Sequence, residues 1–311
     1  MRKIRTAIFG LASLLVLQAA GNETPGTPKA PGAYPAGELG EMVKLGEAII
    51  NETDTHPLTK GLVGNTLKCR NCHLAGSDGK PGTGMGLGTF MASATSFPAY
   101  SKREGSVVTL QQRIDQCFSR SMDGKEPLVD TKASMAMTAY VTWLSTGIPV
   151  QLNAQSPMSP YNDETMHRYK TRVDALLKQA THAEYLEGEK VYRTKCAACH
   201  QADGSGIAGA FPALWGKTAD GKWRSYNAGA GMSKLDKAAI WIHSNMPYKQ
   251  GGTLSLREAV SVALFVDAQP REAYPPAWVK QKTAAVRDTV RDNFKTFGLD
   301  VDAIRGDKKV P

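Results

Sequence analysis

A chain of 311 residues with 41% hydrophobic residues has material for two ordinary domains with buried cores, which excludes a disordered tail or a disulfide-stapled miniature. Its formal charge of +9 would suit nucleic acid, acidic lipid or a small anion, but no run of five clustered Lys/Arg residues marks a nucleic-acid footprint.

The first residues, MRKIRTAIFGLASLLVLQAA, place Arg2, Lys3 and Arg5 before an apolar run that ends in the small residues Ala19 and Ala20. That order reads as a secretory signal peptide over residues 1–20, the alternative being an uncleaved anchor. Loss of the segment takes the charge from +9 to +6. The mature protein is then expected in the periplasm, without membrane insertion, which argues against nucleic acid and leaves small anions and acidic proteins as partners.

Residues 21–37, rich in Pro and Gly, read as a flexible linker. A first domain is expected over 38–149. It opens with a helix that sets Met42, Leu45 and Ile49 on one face, continues through CRNCH (69–73) and a Gly-rich loop, and closes with the helical stretches TLQQRIDQCFSRSM and 134–145. Residues 150–182 read as an interdomain linker, with the polar, Pro-containing VQLNAQSPMSPYN at its start. The same order then recurs over 183–270: the helix AEYLEGEKVYRTK, CAACH (196–200), a Gly-rich loop, KLDKAAIWIHSNMP and the apolar helix LREAVSVALFVDA. This is a duplicated, mainly α unit. An extension over 271–311 carries an amphipathic helix at about Trp278–Phe297, expected to pack across both units.

Both CRNCH and CAACH match C-x-x-C-H, the attachment motif of c-type haem. Two thiols on one helical turn can add to the two haem vinyl groups while the adjacent imidazole reaches the iron. Cys69 and Cys72 would hold one haem c with His73 as proximal ligand, and Cys196 and Cys199 a second with His200. The competing reading is a pair of redox dithiols or half a zinc site; the histidine in both copies, a helix before each and export favour haem.

The sixth ligand sets potential and reactivity. In the second unit Met246 lies 46 residues after His200 and precedes a proline; Met232, at 32 residues, is the rival, better suited to packing. In the first unit, 44 residues from His73 lead to Cys117. The one cysteine outside the two motifs thus holds the place of Met246 and is expected as a thiolate ligand, in preference to an inert buried thiol or an intermolecular disulfide. Met85 and Met91 lie too close to His73 to compete.

Helical spacing sets Arg113, Cys117 and either Arg120 or Ser121 on one face, with Lys125 just beyond the helix end, and FPAYSKREG adds Tyr100, Lys102 and Arg103. Basic side chains stabilise a thiolate and hold an anion; the bland reading gives them to haem propionates or water.

The runs CRNCHL, FPAYSKREG, TLQQRIDQCFSRSMDGK, MTAYVTWLS, CAACH, GAGMSKL, IHSNMP and GGTLSLREAVSVALFVDAQPR resemble, in order over most of 40–272, the dihaem thiosulfate dehydrogenases (tetrathionate synthases). The resemblance implies two tandem cytochrome c-like domains, an active-site haem between His73 and Cys117, and an electron-transfer haem between His200 and Met246. The group around Cys117 is expected as an anion site, with substrate contacts from Arg103, Arg113, Ser121, Tyr100 and Lys125, and the resemblance implies thiosulfate and tetrathionate as reactants. A small c-type cytochrome or a high-potential iron-sulfur protein is the acceptor it implies. Some members of that family carry lysine before the methionine; here the residue is Asn245. Two other readings compete: a dihaem electron carrier, which predicts methionine in place of Cys117, and a Sox-type cytochrome that loads sulfur onto a carrier protein.

Overall fold

The computed structural model describes residues 30–124, 127–151, 158–275 and 288–307. The expected signal peptide, most of the 21–37 linker, Lys125 and residues 278–287 of the expected C-terminal helix lie outside them.

The chain folds as two helical units that follow one plan. In the first, α1 (Gly37–Asn51) buries Val43, Gly46, Ile49 and Ile50 on one stripe. A short antiparallel hairpin, β1 (Ala99–Ser101) and β2 (Ser106–Val108), pairs Ala99 with Val108. It leads into α2 (Leu110–Arg120), whose start is fixed by a capping box between Thr109 and Gln112. α3 (Lys132–Trp143), capped by Thr131, crosses α1 at Gly46, where a Cβ would stand 2.0 Å from the Ala136 carbonyl oxygen.

α4 (Pro160–Lys178) runs through the stretch expected to be a linker. Ser159 caps it and Pro160 takes the first turn, where a missing N–H costs nothing. Charged residues mask its periodicity, yet Met166, Val173 and Leu177 fall on one face and enter the second core.

The second unit comprises α5 (His182–Lys195), α6 (Ala197–His200), α7 (Leu235–Asn245) and α8 (Leu256–Asp267). Here α5 meets α8 at Gly188, whose Cβ would lie 1.9 Å from the Ser261 carbonyl oxygen, so the glycine crossing of the first unit recurs. Of the expected C-terminal helix the described residues hold α9 (Val290–Lys295), capped by Thr289, and beyond it lies a short α10 (Val301–Arg305).

The two C-x-x-C-H motifs enter differently. CAACH follows α5 directly, whereas α1 ends at Asn51 and an irregular segment, 52–68, precedes Cys69. Thr53 ties that segment down: its hydroxyl donates to the Ile49 carbonyl at 2.9 Å and accepts from the Cys69 amide at 3.1 Å.

The units exchange material. Tyr226 and Ala230 belong to the second unit by sequence but are buried in the first core. Beside them Asn227 donates from Nδ2 to the Ser119 carbonyl at 3.0 Å and from its amide to the Arg120 carbonyl at 3.1 Å. Trp241 of α7 donates from Nε1 to the Cys72 carbonyl at 3.0 Å. Among the described residues no helix is long and apolar enough to cross a membrane.

Candidate functional site

Cys69–Asn71 form a single 3-10 turn and Ala197–His200 a single α turn, so each motif presents its two sulfurs and its histidine on one short arc. His73 Nδ1 lies 2.6 Å from the Gly88 carbonyl oxygen, and His200 Nδ1 lies 2.9 Å from that of Pro212. The acceptor at each Nδ1 fixes the orientation of the ring and leaves Nε2 as the nitrogen a metal would use. The His73 ring also stacks on Phe90 with centroids 4.1 Å apart.

The fold brings His73 and Cys117 together: the imidazole is in hydrogen-bonding reach of the Cys117 sulfur. On the same face of α2, one turn earlier, Arg113 Nη1 donates to that sulfur at 2.9 Å. Burial opposes ionisation of Cys117, but the Arg113 charge and the His73 contact outweigh it and bring the thiol down to about 6. As free thiols, Cys69 and Cys72 are pushed up to about 12 by burial, and Cys196 to about 11. Cys117 is thus drawn toward the thiolate, whereas burial holds Cys69, Cys72 and Cys196 toward the neutral thiol.

Arg103 lies in the turn between β1 and β2 and anchors across the units, Nη1 donating to the Gly229 carbonyl at 3.1 Å. Ser121, one turn after Cys117, closes α2; its amide donates to the Cys117 carbonyl and its own carbonyl accepts from Asn65. Arg120 turns away from the sulfur: it is 3% exposed, pairs with Glu104 at 2.5 Å and lies over the Tyr274 ring at 4.6 Å. Tyr100 is exposed on β1, and Lys125 lies outside the described residues.

Two cations absent from the sequence reading join this group from the second unit. Burial and the charge of Arg103, with a smaller contribution from Arg113, push the Lys237 ammonium down to about 8. Lys234, at the start of α7, is lowered by burial and then by its charged neighbours, although it pairs with Asp288 at 2.9 Å. Their signal in the sequence is two lysines three apart at the head of an otherwise apolar helix, which short-range pattern alone assigns to solvent.

A cavity of about 1360 Å³ opens beside the second motif and extends to the first, lined by Cys72, Cys196, Cys199, His200, Met232 and Met246 among others. Its volume, apolar walls and sulfur and imidazole donors fit a covalently attached haem. Both candidate methionines reach it. Met246 closes α7, whereas Met232 packs against both cores. Met91 is buried in the first core and Met85 is exposed. Asn245 turns its side-chain amide to the Leu87 carbonyl of the first unit at 3.3 Å and to that of Trp241 at 3.0 Å. On the cavity wall Asp267 is 2% exposed, accepts from Tyr226 at 3.0 Å and pairs with Arg271 at 3.1 Å. Burial raises its carboxyl to about 6 against the pull of Arg271.

Two family models match the chain: the SoxA/TsdA cytochrome c domain over residues 65–150 and cytochrome c over 185–268. The thiosulfate dehydrogenase of Thiomonas intermedia is 36% identical over 291 residues, 92% of this chain and 83% of that protein. That of Allochromatium vinosum is 36% identical over 253 residues, covering 80% and 85%. Among solved structures, the as-isolated thiosulfate dehydrogenase TsdBA of Marichromatium purpuratum superposes with a TM-score of 0.61 at 32% identity, over 78% of this chain. The match spans 48% of that longer chain.

Proposed function

The chain belongs to the SoxA/TsdA thiosulfate dehydrogenases, with two cytochrome c domains that imply bound haem c, and we propose that it couples two thiosulfate ions into tetrathionate at Cys117. The observation that carries this reading is the 2.9 Å contact of Arg113 with a sulfur that also faces His73. An electron carrier needs neither a thiolate nor a guanidinium there.

In this reading His73 and Cys117 would hold the first iron, and His200 and Met246 the second. Haem c at the two motifs supplies two one-electron acceptors, matching the two electrons the reaction releases. Arg113 and Arg103 bind the thiosulfate dianion, Arg with its two-pronged fork, and Lys237 adds positive charge from the facing unit. Ser121 lies within the same arc.

The Cys117 thiolate then joins the outer sulfur of thiosulfate. One S–S bond forms, two electrons leave, and the product is a cysteine S-thiosulfonate. A second thiosulfate attacks, through its own outer sulfur, the adduct sulfur bonded to Cys117 Sγ; the Cys117–sulfur bond breaks, tetrathionate departs and the thiolate is restored. Both steps conserve charge without a proton, so the site needs cations and no general acid. The reverse reaction uses the same contacts. The electrons pass to an external acceptor, a small c-type cytochrome or a high-potential iron-sulfur protein, in the periplasm.

The test is a steady-state assay with thiosulfate and ferricyanide in which tetrathionate is quantified. One tetrathionate is expected for every two ferricyanide reduced. Haem reduction by other donors, with no tetrathionate formed from thiosulfate, would leave the electron carrier as the better reading.

A further inference from the structure

We propose that Asn162 is a positioning residue for the first haem centre, fixing the peptide whose carbonyl orients His73. The inference rests on His73 as the iron ligand of that centre.

His73 Nδ1 is 2.6 Å from the oxygen of the peptide that joins Gly88 to Thr89. Asn162 brackets that peptide from both sides. Its Oδ1 accepts from the Gly88 amide at 2.7 Å, and its Nδ2 donates to the Thr89 carbonyl at 2.9 Å. Asn162 is itself held at the head of α4, where Nδ2 also donates to the Ser159 hydroxyl at 2.7 Å.

The second unit shows why a clamp is needed. There the carbonyl facing His200 belongs to Pro212, whose ring fixes its own φ. In the first unit the same task falls to Gly88, with φ +109°, inside a glycine-rich loop without regular structure. A side chain cannot replace the glycine, because a Cβ would stand 2.9 Å from the Cys72 carbonyl oxygen and 3.0 Å from Trp241 Nε1. Close approach of the loop to the Cys72 turn therefore demands the least restrained residue, and the lost rigidity is restored from outside by an amide that matches one donor and one acceptor.

A fixed acceptor on Nδ1–H raises the basicity of a metal-bound imidazole and sets the angle of its ring, and a stronger donor favours ferric iron. Releasing the carbonyl should therefore raise the potential of the first haem and change its ferric electron paramagnetic resonance g values, leaving the second haem unmoved.

The experiment compares the dihaem wild type with N162A, N162D and S159A by redox titration and electron paramagnetic resonance. N162A is expected to move the first haem's potential upward and shift its g values. N162D keeps the acceptor for the Gly88 amide but opposes the Thr89 carbonyl, so it should also shift those g values. S159A removes the helix cap and the Ser159 hydroxyl that Asn162 Nδ2 also meets, but keeps both bonds from Asn162 to the Gly88–Thr89 loop; it should lower the melting temperature and leave both haem signals in place. Unchanged first-haem g values in N162D, or in N162A, would overturn the proposal. Equal shifts from S159A and N162A would do so too, since they would reduce Asn162 to a general structural role. A wild-type spectrum without a thiolate-ligated species would instead count against the ligation assigned above, whatever the variants do.

Discussion

Arg113→Ala removes the guanidinium that donates to the Cys117 sulfur. The contact is 2.9 Å long and partly buried, so screening is incomplete. A hydrogen bond to a charged group contributes roughly 1.5–3 kcal/mol, which at about 1.4 kcal/mol per decade gives a ten- to hundredfold loss in kcat/KM for thiosulfate. The loss should appear in both kcat and KM, because the same guanidinium serves the thiolate and the incoming dianion. Arg113→Lys keeps the charge but not the fork, and should fall between the two. The assay is thiosulfate-dependent ferricyanide reduction with tetrathionate measured in parallel; haem content and the second haem's potential serve as controls. Wild-type kinetics in Arg113→Ala, with both haems present, would refute the reasoning and return the residue to a structural or propionate-binding role.

Cys117→Met should abolish tetrathionate formation by several orders of magnitude with both haems attached, since methionine can hold iron but cannot form the adduct; substantial turnover would exclude the covalent route. Met246→Ala should lower the second haem's potential and slow electron exit, with substrate affinity little changed, whereas the same effect from Met232→Ala would reassign the ligand. Lys237→Met should raise KM for thiosulfate severalfold with haem spectra constant; an unchanged KM would place that ammonium outside the anion site. Gly188→Ala should destabilise by about 3 kcal/mol or more, read as a fall in melting temperature, because its Cβ would meet a backbone carbonyl at 1.9 Å and neither helix can yield cheaply.

The main helices were legible in the sequence because capping residues and apolar periodicity coincide. Thr109, Thr131 and Ser255 each stand where a helix begins, and the stripes that follow bury as their spacing requires. α4 was hidden by its charge: three buried positions spread over 19 residues give a weak stripe, and the Pro at its start reads equally as a linker signal. The meeting of His73 with Cys117 could be inferred from duplication, since the distance between motif and sulfur repeats. Nothing local announced Lys234, Lys237 or Asn162. Their neighbours, Asp288 for Lys234, Arg103 for Lys237 and the Gly88–Thr89 loop for Asn162, are far away in sequence, and long-range pairing leaves no trace in a short window. Arg120 and Arg113 were indistinguishable by spacing, because α2 offers both near the sulfur face; tertiary partners, Glu104 and Tyr274, turn one of them away.

The placement of Tyr226 and Ala230 in the first core has a bearing on heredity. Residues that follow the second motif complete the first interior, so neither half of the chain carries a whole core by itself. A cut through the 150–159 stretch would strip the front half of two core residues and of the Asn227 and Trp241 tethers. Gene fission, or grafting the front half onto a different electron carrier, is thereby penalised at the level of folding, before any loss of chemistry is felt. The two halves must be inherited together.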